Sequence, residues 1–272
     1  MQSIEFRKAD WPALRELTAA YLADLRHQND GFHHNKIFEN AAYRIEFDGE
    51  TRGFFSLGDS WEGGKLLCAF YLVPAARHAS AAIFSRVLEE MDVRAALVVS
   101  NDALFVSLAF ETMRARNAAF DMQAYNFTYG KPSRPAEYGP ECLERVLPGE
   151  YETMNRLTQG QWEGCFGHPD YVLFALRHAG KTLGYGALAR MPHHDGYVDV
   201  GNFTLPEYRR QGVGRSIIIH LSDLALQNRL TPVAGCWYGN RESFLTLTSS
   251  GFIPENRIFF VRFDAQEPTP AQ

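Results

Sequence analysis

One stretch constrains the fold of this chain more than any other: Gly196 to Leu221, GYVDVGNFTLPEYRRQGVGRSIIIHL. Tyr197 to Leu205 alternates apolar and polar residues and has strand chemistry. Pro206 to Gly214 then predicts a tight turn, with glycines at Gly212 and Gly214. Ile217, Ile218, Leu221, Leu224 and Ala225 recur at three and four residues, the spacing of a helix. A strand that feeds a glycine turn opening a helix leaves several backbone N–H groups without partners at the helix start. Those groups and the positive end of the helix dipole make an anion site suited to phosphate. Glycine lets an oxyanion approach closely, and Arg209, Arg210 and Arg215 add positive charge around it.

Gly212-Val213-Gly214 alone has several readings, including a plain helix start with arginines in solvent. It is not a dinucleotide fingerprint, because Ile217 stands where the third glycine would be, and no acidic ribose ligand follows in a βαβ context. The lysine of a phosphate-binding P-loop is also missing.

The longer pattern is more specific. Thr204-Leu205-Pro206-Glu207-Tyr208-Arg209-Arg210-Gln211-Gly212-Val213-Gly214 resembles motif A of the GNAT superfamily of N-acetyltransferases. Downstream, Asn240-Arg241-Glu242-Ser243 followed by Gly251-Phe252 resembles the family's motif B, in which Asn-x-x-Ser/Ala opens a helix and Gly-Phe closes it. The resemblance implies an α/β (α+β) fold, a mixed, mostly antiparallel twisted sheet flanked by helices. It also implies acetyl-CoA as acyl donor, with its pyrophosphate held at the motif A turn.

The chain has 272 residues, enough for one large domain or two ordinary ones, and 46% of them are apolar. A net charge of −5 argues against nucleic acid as the main partner. The start, MQSIEFRKADW, has no basic segment leading into an apolar core, and no apolar run approaches the ~20 residues that cross a bilayer. Cys68, Cys142, Cys165 and Cys236 are scattered without a CxxC pair, which reads as reduced thiols in a cytoplasmic protein and suggests no metal.

The chain also repeats itself. Gly49-Glu50-Thr51-Arg52-Gly53-Phe54 matches Gly180-Lys181-Thr182-Leu183-Gly184-Tyr185, each at the turn of a predicted hairpin. The hairpin strands are Tyr43 to Phe47 with Phe54 to Leu57, and Val172 to Arg177 with Tyr185 to Ala189. Pro74-Ala75-Ala76-Arg77 aligns with Pro206-Glu207-Tyr208-Arg209, and Asn101 aligns more loosely with Asn240. A helix over Trp11 to Leu25, with Asp10 as cap and Pro12 in its first turn, parallels Glu150 to Leu157. A near-constant offset over several elements argues for duplication. Two GNAT-like domains are expected, about 1–130 and 141–265, joined by a Pro/Gly-rich linker over 131–140 and followed by a tail over 266–272.

The first copy departs from the pattern where chemistry would sit. Opposite Arg209-x-x-Gly212-x-Gly214 stands Arg77-His78-Ala79-Ser80-Ala81-Ala82, and opposite Gly251-Phe252 stands Thr112-Met113. Ser80 has a Cβ where the turn wants glycine, so the first copy reads as a scaffold; weak binding of a CoA-like ligand is its alternative.

For the second copy the resemblance assigns the carrier site to Phe203, Thr204, Leu205, Arg209, Arg210, Gln211, Gly212, Val213, Gly214, Arg215, Ser216, Asn240 and Ser243. It implies the Thr204 backbone N–H as oxyanion donor. A donor of that kind is commonly worth ~3–4 kcal/mol. The amine acceptor must lose a proton, since a lysine-type amine has a pKa of about 10.4. Asp199 is the carboxylate on the core strand and the candidate base; Asp195, His193 and His194 in the preceding turn are alternatives. Where many family members place a tyrosine as general acid, this chain has Leu247, and Tyr238 is the candidate substitute. Acceptor contacts are expected from Trp162, Phe166, His168 and Tyr185. Cys165 with His168 lacks the third residue of a nucleophilic site.

The expected activity is direct transfer of an acetyl group to the amine of a small molecule or peptide, by a monomer or homodimer that engages no membrane. The other reading is an acyl-CoA-binding sensor that has lost turnover.

Overall fold

The structure is a computed structural model and describes residues 3–191 and 193–264; the tail expected over 266–272 lies outside the described residues. Two compact units form. Among the described residues, one comprises residues 3–28, Phe32–Ala124 and residues 256–264; the other comprises Asn29–Gly31 and Tyr125–Glu255.

The first unit opens with β1 (Ile4–Ala9), a 3₁₀ turn over Trp11–Leu14 and α1 (Arg15–Asp24). Pro12 sits in the first turn as expected, but the Asp10 side chain caps nothing. Next come α2 (Gly31–Phe38), whose first residue belongs to the second unit, and the meander β2 (Ala41–Phe47), β3 (Glu50–Asp59) and β4 (Lys65–Leu72). A 3₁₀ segment over Pro74–Ala79 runs into α3 (Ser80–Glu90), followed by β5 (Val93–Val99) and α4 (Ala103–Ala115). Strands β1 to β4 pair antiparallel in order, while β4 pairs with β5 in parallel. Alternate strand residues feed two cores: Phe55, Leu67 and Val98 pack with α3 and α4, and Phe54, Leu66 and Leu97 pack with α1.

The second unit contains part of β6 (Phe120–Tyr129), β7 (Leu143–Arg145), α5 (Tyr151–Leu157), β8 (Tyr171–His178), β9 (Lys181–Arg190), β10 (Tyr197–Thr204), α6 (Val213–Gln227), β11 (Thr231–Trp237) and α7 (Arg241–Ser249). Strands β7 to β10 form an antiparallel run, and β11 joins β10 in parallel. Ile217, Ile218 and Leu221 bury the inner face of α6 against Val200 and Ala234, while Tyr185, Leu173 and Met154 build a second core with α5. The mixed, mostly antiparallel sheets flanked by helices are those expected from the sequence, and both hairpins are present.

The unit boundaries differ from a simple cut at the linker. The strand β12 (Phe252–Arg262) pairs antiparallel with β5 from Ile258↔Val99 to Arg262↔Ala95, so its second half joins the first unit. Asn29–Gly31 go the other way. The Pro/Gly-rich 131–140 stretch is also not a free connector. Glu137 and Tyr138 donate their N–H groups to Ser216 Oγ at 2.8 and 3.1 Å, Arg215 Nε donates to Pro135 O, and His220 Nε2 lies 2.7 Å from Tyr138 O. It is a strap laid along α6.

The repeat is closer at one position than the sequence suggests. Asn240 caps α7 by accepting the Ser243 N–H at 3.0 Å; the matching cap in the first unit is Asp102, which accepts the Phe105 N–H at 3.1 Å. Asn101 instead donates to the carbonyls of Leu25 and His27.

Candidate functional site

The site begins where two parallel strands part. β10 and β11 are in register from Tyr197↔Thr231 to Asp199↔Val233, yet they continue to Thr204 and Trp237. Leu205 N–H donates to Leu183 O on the β9 side. Along an antiparallel strand the hydrogen-bonding direction alternates, so the Thr204, Asn202 and Val200 backbone groups point to the other edge, into the gap that β11 leaves.

The gap opens into a cavity of about 810 Å³ lined by Val200 to Thr204, Arg209, Arg210, Gly212 to Arg215, Gly235 to Trp237 and Asn240 to Ser243, among others. At its base is the turn before α6. Arg209 is extended, Arg210 and Gly212 have φ of 60° and 77°, and α6 starts at Val213. Gly212 satisfies the left-handed conformation without strain. Among the described residues, the N–H groups of Arg210 to Arg215 reach no acceptor, whereas Ser216 N–H already bonds to Gly212 O. A Cβ on Gly214 would lie 2.8 Å from Asn202 Nδ2 and 3.1 Å from Thr204 Oγ1. The bare Cα keeps the cradle open, and the free amides at a helix N-terminus fit a pyrophosphate. Asn202, which sequence reasoning did not single out, lines this cradle.

The other predicted carrier residues divide. Phe203, Thr204, Arg209, Arg210, Val213, Asn240 and Ser243 line the cavity. Gln211 donates its side-chain amide back to Glu207 O, and Leu205 is core. Arg215 lines the cavity but is partly engaged by Pro135 O and by Glu137 at 3.7 Å. The Ser216 hydroxyl is committed to the strap and to Gly212 O.

Asp199 faces away from α6, near the point where the strands part. Gly31 donates its N–H to Asp199 Oδ2 at 3.0 Å. Burial, then the nearby Asp30 carboxyl, raise the Asp199 pKa well above the usual carboxylate range, to about 8, against the pull of the Gly31 and Val200 amides. Asp30 is itself buried, and its N–H donates to Asn126 Oδ1 at 2.6 Å. Asp30 escaped the sequence reading because it lies in the first half of the chain with no motif around it. The alternatives to Asp199 fare differently. Desolvation lowers the pKa of His194, which stacks edge-on against Tyr197.

Tyr238 does not face the cavity: it is half exposed and stacks on Tyr125 at 5.1 Å. Leu247 lines the cavity and is 2% exposed, so an apolar group stands at the usual position of the acid. Cys236 also lines the cavity, and burial pushes its thiol up to about 11. Of the predicted acceptor residues, Trp162 lines the cavity. Phe166 stacks on Tyr151, Tyr185 is buried in the α5 core, and His168 accepts the Asp170 N–H near the surface.

Among its described residues the first unit has no equivalent cradle. Pro74–Ala79 passes directly into α3, with Ser80 in the right-handed region at φ −55°. Arg77, opposite Arg209, is held by Leu72 O and by Asp24. Among the described residues there is no metal-ligand cluster and no helix long and apolar enough to cross a membrane.

Comparison with known proteins agrees with this geometry. The acetyltransferase (GNAT) domain model matches residues 11–130, and the acetyltransferase (GNAT) family model matches residues 138–244. No curated protein sequence matches the chain. An acetyltransferase of the GNAT family from Colwellia psychrerythraea aligns at TM-score 0.79 and 17% identity, over 96% of this chain and 100% of its own. A tandem GNAT protein from the clavulanic acid biosynthesis pathway aligns at TM-score 0.59 and 12% identity, over 98% and 100%. A GCN5-related N-acetyltransferase from Sphaerobacter thermophilus aligns at TM-score 0.59 and 11% identity, over 94% of each. The chain belongs to the GNAT superfamily of N-acetyltransferases and carries two GNAT domains in tandem.

Proposed function

We propose that the second unit carries the activity, transferring an acetyl group from acetyl-CoA directly to the amine of a small molecule or peptide, with Asp199 as general base. The observation that carries the reading is the meeting of two features in one cleft, free amides at the head of α6 and inward-facing backbone at Thr204. The raised carboxyl of Asp199 stands at the fork between β10 and β11, one residue before the cavity-lining Val200.

Acetyl-CoA, when bound, supplies an activated acyl thioester. The amides of Arg210 to Arg215 hold its pyrophosphate, with Arg209 and Arg210 contributing charge. The edge of β10 that faces the gap pairs with the carrier arm in the manner of an added strand. Thr204 N–H, fixed by its strand, is directed where negative charge would develop on the acyl oxygen. Asp199 takes a proton from the incoming ammonium. Its raised pKa brings it closer to that of an amine, which favours general-base work near neutral pH. No acid is stationed at Leu247, so the thiolate, with a pKa of about 8.5, leaves unaided. Trp162 forms the acceptor-side wall of the cavity. The first unit serves as a scaffold.

A panel of amines read by thiol release tests this reading. Acceptor-dependent turnover that disappears in Asp199→Asn, with acetyl-CoA binding retained, supports it. Tight binding without turnover across the panel would identify an acyl-CoA sensor instead.

A further inference from the structure

Strand β10 is interrupted by a glycine, Gly201, that the fold does not ask for. Glycine weakens a strand interior, and where one persists it marks a bulge, a tight bend, or the close approach of another backbone or a ligand. The other glycines of the described strands have such reasons within the fold. A Cβ on Gly184 would lie 2.6 Å from Phe203 O, and one on Gly186 would lie 2.5 Å from Ile217 Cγ2. Gly53 lies under the Tyr71 carbonyl, Gly58 against the Asn40 side chain, and Gly235 against the Asp30 carboxyl group. Gly201 differs. A Cβ built there meets no described atom within 4 Å, and its backbone is extended, without the positive φ that calls for glycine. Its pairing with Ala187 continues the register of β9 and β10 without a shift, so no bulge explains it.

The open space belongs to the cavity, which Gly201 lines together with Phe203, Thr204 and Trp162. Side chains alternate between the faces of a strand. Val200 packs with α6, whereas Phe203 packs on the α5 core, as Trp162 does. The bare position of Gly201 therefore falls on the face away from α6, in one row with Asp199 and Phe203. The free amides that fit the carrier's pyrophosphate stand at the head of α6, on the opposite face. Asp199 precedes Gly201 by two residues and Thr204 follows it by three. Gly201 thus lies between the candidate base and the candidate oxyanion donor, and a nitrogen that reacts between them carries its nearest substituents over this glycine.

We propose that Gly201 is a specificity-determining residue of the acyl-transfer site: the volume its missing side chain leaves is filled by the substituent beside the reacting nitrogen, so the acceptors are amines borne on a branched carbon. This rests on the reading of Asp199 and Thr204 given above. An amine on an unbranched carbon leaves part of that volume empty and is the poorer acceptor. A side chain at position 201 occupies the same volume and excludes the branched acceptor first.

The test is thiol release from the full chain with amines taken as isomer pairs, one straight and one branched at the nitrogen-bearing carbon, n-butylamine and sec-butylamine being the first pair. Wild type, Gly201→Ala and Gly201→Val are compared, beside calorimetry with acetyl-CoA. The wild type is expected to favour the branched isomer. Gly201→Val is expected to lower kcat/KM for that isomer by roughly 10–200-fold, the range for a methylene-sized change in a pocket, and mainly through KM. The straight isomer should lose less, and Gly201→Ala should show the same trend more weakly. Acetyl-CoA affinity should stay unchanged, and Tm should hold or rise, because valine suits an extended strand with free space beside it. Turnover without preference for the branched isomer, or equal losses for both isomers, would overturn the proposal and leave the acetyltransferase reading standing. Weakened acetyl-CoA binding in Gly201→Val would give the space to the carrier, and a lowered Tm would give the glycine to the fold; either overturns it. No turnover of any amine by the wild type would instead refute the reading on which the proposal rests.

Discussion

Gly31, the residue after Asp30, donates its backbone N–H to Asp199 Oδ2 at 3.0 Å, although 168 positions separate them in the chain. That bond favours the carboxylate, yet burial and Asp30 outweigh it and leave the pKa raised. A carboxyl whose folded pKa lies above its unfolded value holds more protons folded than unfolded. Stability therefore falls as pH rises from the ordinary aspartate range toward the raised value. Asp199→Asn removes this penalty while keeping an acceptor for Gly31. Its Tm should exceed that of the wild type by a margin that widens from pH 5 to pH 8, at roughly 2–4 °C per kcal/mol for a chain of this size. A margin that narrows with pH would contradict the burial argument.

The first unit should bind no carrier. Ser80 stands opposite Gly212, but its right-handed φ of −55° lets a 3₁₀ segment run straight into α3, whereas Gly212 at 77° breaks the chain away from α6. Titration calorimetry with acetyl-CoA is expected to give one site per chain. Ser80→Gly should not create a second, because Arg77 remains held by Asp24 and Leu72. Two sites would show that the first unit retains the ancestral function.

Tyr238→Phe should leave kcat within about twofold, since the ring stacks on Tyr125 outside the cavity and the loss of a general acid would cost ~10²-fold or more. Trp162→Ala, by contrast, should raise KM for the acceptor more than it lowers kcat. Steady-state kinetics on whichever amine the panel yields separates the two.

The strap over α6 should be structural. Ser216→Ala removes the acceptor for the Glu137 and Tyr138 N–H groups and should destabilise the protein by ~1–3 kcal/mol, measured by urea unfolding. Acetyl-CoA affinity should hardly change, because the Ser216 hydroxyl is not free to serve phosphate.

What the sequence made legible follows from how local its signals were. Pro206, Gly212 and the apolar spacing from Ile217 announce strand, turn and helix within twenty-odd neighbouring residues, and α6 begins where they place it. The hairpins at Gly49 and Gly180 are equally local, both glycines taking positive φ. Asp30 was invisible because nothing near it in sequence hints that Gly235 leaves room for its carboxyl group. The 131–140 stretch has loop composition, but composition does not reveal that Ser216 and His220 fasten it. The destination of β12 was hidden likewise, since nothing in its own residues names β5 as its partner. Phe166 and Tyr185 illustrate the same gap: aromatic character places a ring in an apolar setting, and here that setting is the α5 core instead of the cleft.

The most direct measurement is acetyl-CoA affinity, by calorimetry, in a chain carrying Gly212→Val and Gly214→Val. Valine cannot comfortably adopt the left-handed φ at 212, and at 214 its Cβ would press on Asn202 and Thr204. With the fold intact by circular dichroism, affinity is predicted to drop by about 100-fold, near 2.7 kcal/mol. An unchanged Kd in the folded variant would mean that the amides at the head of α6 do not hold the carrier.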